Sequence, residues 1–123
     1  MDGAMQVRWS LVLAGGLLAE IGILLVAVPA SFLPSGEQAL LWAVPPACLV
    51  MTFLAGRWAA RRAGARHVLH GTLAGVVAAL LYIAATWNQT LPLAFIISHG
   101  LKVAGGAGGG LYAARQAATA IAR

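Results

Sequence analysis

Two charged residues lie deep within apolar sequence, where their chemistry demands a reason. Glu20 is set among Leu17, Leu18, Ala19, Ile21 and Gly22, and Lys102 among Gly100, Leu101, Val103 and Ala104. A charge at the centre of a membrane helix costs roughly 2.5–3.5 kcal/mol on insertion scales, so each needs a partner or a task. Glu20 follows Arg8 by 12 residues and Lys102 precedes Arg115 by 13. At about 1.5 Å per residue those spacings are about 18 Å and about 20 Å, which puts both charges near one depth. They are expected to pair and to tie the first helix to the last. The pair has three readings: a lock that holds a bundle, a coupling site for protons or a charged substrate, or no contact at all. The lock is the simplest, although desolvation offsets most of the attraction in any buried pair.

The residues around Lys102 sharpen the choice. His99, Lys102, Gly105, Gly106 and Gly109 share one helical face at three- and four-residue spacing, polar in its first half and bare in its second. Gly105 with Gly109, and Gly71 with Gly75 and Ala79, form small-xxx-small patterns that let helices approach, within one chain or between copies. The alternative is a water-lined cavity beside the glycines, with Glu20, His99 and Lys102 in a transport pathway. The glycine run is no phosphate loop, since no strand precedes it. His67 and His70 stand three residues apart without an evident third metal ligand, and His99 belongs to a different depth. Asp2, Glu20 and Glu37 are scattered, and Cys48 is the only cysteine. No catalytic set, metal site or cofactor site is expected. A pigment or haem held through one histidine stays open.

Elements long enough to position these residues follow from composition. Of 123 residues, 61% are apolar and 9% charged. A soluble domain this small could not hide so much apolar surface. Four apolar runs reach the roughly 20 residues that a span requires: 9–32, 39–60, 67–87 and 91–114. The expected fold is therefore all-α, a single integral membrane four-helix bundle over residues 1–123. The first run exceeds the roughly 7–15 residues of a signal-peptide core and reads as a retained helix. Pro45 and Pro46 are expected to kink the second helix near its outer end.

Orientation follows from the arginines. Arg8, Arg57, Arg61, Arg62, Arg66, Arg115 and Arg123 all fall on one side of the four runs, while the other side holds Glu37. This bias predicts both termini in the cytoplasm, with the chain in the cytoplasmic (inner) membrane. Trp9, Trp58 and Tyr112 mark the inner edge, and Trp42 and Trp87 the outer one. Arg57, Arg61, Arg62 and Arg66 are expected to meet anionic lipid headgroups. Basic residues at span edges, rather than along a solvated face, argue against nucleic acid despite a formal charge of +5.

The stretch from Gly16 to Ile21 aligns weakly with Gly71 to Val76, and Gly56 to Arg61 with Gly110 to Arg115. Two tandem helical hairpins related by an axis along the membrane normal would explain this; so would chance similarity among Ala, Gly and Leu. The segment Gly56-Arg57-Trp58-Ala-Ala-Arg61-Arg62, followed by His70-Gly71-Thr-Leu-Ala-Gly75, resembles a group of small four-helix bacterial membrane proteins of uncharacterised function. That likeness implies fold and location but supplies no activity. Gly15-Gly16-Leu-Leu-Ala-Glu20-Ile-Gly22 is similar to the first helix of the small multidrug-resistance exporters, which implies a proton-exchanging role for Glu20. Lys102 departs from that pattern, since it would compete with a cationic substrate. The expected function is a non-catalytic membrane subunit that associates with its own copies or a larger complex. The alternative is a small oligomeric transporter or channel.

Overall fold

The computed structural model describes residues 6–90 and 92–123; Asp2 and the expected start of the fourth helix at Leu91 lie outside the described residues. The described chain forms four α-helices: α1 (Trp9–Ser31), α2 (Gly36–Ala63), α3 (His67–Ala85) and α4 (Leu93–Ala122). The helices outrun or fall short of the apolar runs at several ends. α2 starts before Ala39 and α4 continues past Ala114, because hydropathy measures hydrocarbon thickness rather than helix length. Polar residues such as Glu37, Arg115 and Gln116 continue a helix readily once it leaves an apolar layer. α3 stops at Ala85, so Trp87 sits in the following turn. α2 is helical without a break across Pro45 and Pro46.

The turn between α2 and α3 is tight. Gly64 adopts a left-handed φ of 74°, and its N–H reaches the Ala60 carbonyl to close α2. Arg66, also left-handed at φ 50°, turns the chain into α3. Glycine takes this conformation without the Cβ penalty that Arg66 accepts.

Packing places small residues inside and large ones outside. The core consists of Val12, Ala19, Ile23, Val44, Ala47, Cys48, Ala55, Ala59, Ala60, Ala74, Ala78, Ala79 and Ala113, together with glycines. Leu13, Leu17, Leu24, Leu25, Phe32, Trp42, Leu80, Ile96 and Ile97 are exposed. Water-soluble bundles do the reverse, and an apolar exterior this extensive suits an apolar surrounding. α1, α2 and α3 are each long and apolar enough to cross a membrane. α4 falls short of that measure because its glycines and Lys102 lower its hydropathy, not because it is short.

In cross-section the bundle is a rhombus. α2 and α3 touch each other along the short diagonal and each touches both α1 and α4. α1 and α4 occupy the far corners, with no Cα of one within 8 Å of the other. A two-fold axis relating the hairpins α1–α2 and α3–α4 would match the α2–α3 contact with an α1–α4 contact. The packing departs from that symmetry.

Candidate functional site

α4 positions the site through backbone proximity. Its buried residues Ser98, Lys102, Gly105, Gly106, Gly109, Gly110 and Ala113 repeat at three and four. Gly105 and Gly109 face α2: a Cβ at Gly105 would strike Thr52 and the Leu49 carbonyl, and one at Gly109 would lie 2.7 Å from the Arg57 nitrogen. Gly106 and Gly110 face α3, where Gly71 and Gly75 meet them; a Cβ at Gly71 would sit 2.8 Å from the Gly110 Cα. Gly56 completes the seam from α2, since its Cβ would stand 2.9 Å from the Gly106 Cα. The small-residue faces on α3 and α4 are thus occupied within the chain. Gly71, Gly75, Gly105 and Gly109 are therefore not bare for a second copy.

Lys102 projects from this seam across the gap to α1. α1 buries Val12, Gly15, Gly16, Ala19 and Ile23, and Glu20 lies at the edge of that stripe. The Lys102 Nζ donates to Glu20 Oε1 at 2.5 Å, with the two side chains 2% and 12% exposed. The ion pair therefore spans the long diagonal, where two backbones too distant to pack are joined by long side chains. The Tyr82 ring of α3 receives the ammonium on its face, 4.6 Å from centroid to Nζ. Tyr82 in turn stacks on Phe95, with centroids 6.3 Å apart, and packs against His99 at 5.4 Å. Cys48 of α2 and Ser98 adjoin the same cluster. All four helices contribute to it. Beside it, the crevice lined by Leu40, Val44, Phe95 and Ser98 has no room for a water molecule.

His99 differs from its neighbours. Both of its ring nitrogens are buried with no hydrogen-bond partner. His70, by contrast, is fully engaged: its Nε2 accepts the Arg8 N–H at 3.0 Å, so its Nδ1 carries the proton and donates to the Arg66 carbonyl at 3.0 Å. That arrangement removes His70 from any ligand role. His67 Nδ1 lies 2.9 Å from the Ala60 carbonyl across the α2–α3 turn. Among the described residues no three His, Cys, Asp or Glu side chains converge for a metal.

The arginines gather at one end of the bundle. Arg8 donates from Nη1 to the Arg62 carbonyl at 3.1 Å, joining the start of α1 to the end of α2. Arg57 donates from Nε to Gln116 at 3.1 Å and lies over the Tyr112 ring at 5.1 Å. Arg62 lies over Trp58 at 5.3 Å. Arg66 contributes its carbonyl to His70 at the same end.

Sequence reasoning placed Glu20 and Lys102 on the two helices that the pair joins. It missed Tyr82, although the spacing of Ala74, Ala78 and Tyr82 continues the buried stripe of α3. It also missed the link from Arg8 to His70, which depends on where two helix ends meet. No family model, curated protein or solved structure matches the chain.

Proposed function

We propose that this chain is a non-catalytic integral membrane subunit with four spanning helices, its arginine end and both termini on the cytoplasmic side. One observation carries the reading: the bundle buries glycine and alanine and exposes leucine, isoleucine and tryptophan. Lipid is the solvent in which that arrangement is stable. α4 is included because it packs between α2 and α3, where neighbouring helices shield its glycines and Lys102. The one-sided arginines give the orientation.

The subunit assembles with copies of itself or with another membrane protein. Because Gly71, Gly75, Gly105 and Gly109 are occupied internally, the association uses the exposed large side chains of α1 and α4. In this reading the Glu20–Lys102 pair closes the bundle across its widest gap and moves nothing. A second reading, an oligomeric transporter working through Glu20, Lys102 and His99, draws on the unpartnered nitrogens of His99.

The double substitution Glu20→Gln with Lys102→Met separates the two. For a structural pair, the variant extracted in mild detergent has the native complex mass and supports the same cellular phenotype. For a transport site, it assembles normally but loses ion or substrate flux in liposomes. A native mass equal to one bare chain, with no co-purifying partner, would overturn the assembly reading.

A further inference from the structure

The geometry points to a seat for one anionic phospholipid on the inner end of α2. It rests on the membrane-spanning reading above. A groove of about 440 Å³ is lined by Leu54, Arg57, Trp58, Arg61 and Arg62. Residues 50, 54, 58 and 62 repeat every four positions along one face of α2, and they change character in order. Val50 and Leu54 are exposed and apolar, Trp58 is aromatic with an indole N–H, and Arg62 is cationic. That sequence from hydrocarbon to rim matches a phospholipid read from acyl chain through ester region to phosphate.

Two features make this a built seat rather than a diffuse charge. Arg57 is held by Gln116 and the Tyr112 ring, while Arg62 is braced on the Trp58 ring it partly covers. Oriented guanidinium forks suit phosphate oxygens, which accept two parallel N–H bonds. The Arg8 bond to the Arg62 carbonyl, and the Gly64 closure of α2, fix the backbone from which Arg61 and Arg62 project. Glu20 is engaged by Lys102 far from this end, and Glu37 lies at the opposite end beside Pro34 and Ser35, so neither of these described side-chain carboxylates lines the groove. A phosphate diester supplies the missing negative charge, and its acyl chain covers Val50 and Leu54.

The test uses full-length protein in nanodiscs, with Trp9, Trp42 and Trp87 changed to Phe so that Trp58 alone reports. Brominated phosphatidylglycerol at low mole fraction in phosphatidylcholine should quench Trp58 well beyond brominated phosphatidylcholine at the same fraction. Arg61→Gln with Arg62→Gln should weaken that preference about 25-fold, about fivefold for each arginine near the surface. Arg115→Gln, at the same rim but outside the groove, should leave it in place. Equal quenching by the two lipids would overturn the seat, as would an equal loss from Arg115→Gln. Competition by millimolar glycerol phosphate would assign the groove to a free phosphate and overturn the lipid. If neither lipid quenched Trp58, the membrane reading itself would fail, a different outcome from loss of preference.

Discussion

The two sides of the rhombus at α4 and its long diagonal solve the same packing problem by opposite means. Where α4 meets α2 and α3, glycine lets backbones close to within the space a single methyl would fill. Where α4 faces α1, the backbones stay apart and a lysine and a glutamate bridge the gap. In the membrane setting proposed above, lipid offers no hydrophobic gain for drawing helices together, so association there depends on van der Waals contact at the seam and polar contact at the gap. The seam distributes its energy over many small contacts. The gap concentrates it in one.

That contrast predicts unequal sensitivity. The largest effect should come from Glu20→Ala, which leaves the Lys102 ammonium without its partner and should destabilise by about 3 kcal/mol or more. Unfolding by SDS in mixed micelles, followed by helical circular dichroism, gives the value. The Glu20→Gln, Lys102→Met pair should recover most of the loss; if it is as unstable as the single change, the pair does more than compensate charge. Gly106→Val should follow at about 2–3 kcal/mol, since the added side chain collides with Gly71 and Gly75. Gly100→Ala is its control, because nothing lies within 4 Å of a Cβ there, and it should leave the midpoint unchanged or slightly raised. An equal cost at both glycines would remove the seam from the comparison. The smallest effect belongs to Tyr82→Leu, about 1 kcal/mol for the lost ring face beneath Lys102, with Tyr82→Phe near native in the same assay.

Much of the fold was legible because its signals are one-dimensional. Four helical runs, the clustering of arginines at one end and the depth match of Glu20 with Lys102 all depend on counting along the chain. Helix ends were less legible: α2 and α4 run on into polar sequence that hydropathy treats as a boundary. Gly105 and Gly109 could be recognised as packing residues, but not which helix they would meet. The same was true of Gly71 and Gly75. A glycine stripe specifies closeness and is silent about the neighbour, so contact with a second copy looked as reasonable as contact within the chain. His67 and His70 shared one signature in the sequence, yet only His70 became a fully satisfied buried ring, because the start of α1 happens to pass over it.

Residue order alone determined that this chain is helical, apolar and asymmetric in charge, since those properties are sums over local segments. The tertiary structure decided that α1 and α4 occupy opposite corners, that Tyr82 completes the charged cluster, and that Gly105, Gly106, Gly109 and Gly110 of α4 are buried inside the bundle. Those outcomes depend on which helices become neighbours. Several arrangements of four antiparallel helices satisfy the same local pattern, and the choice among them is made by side chains meeting across the interior.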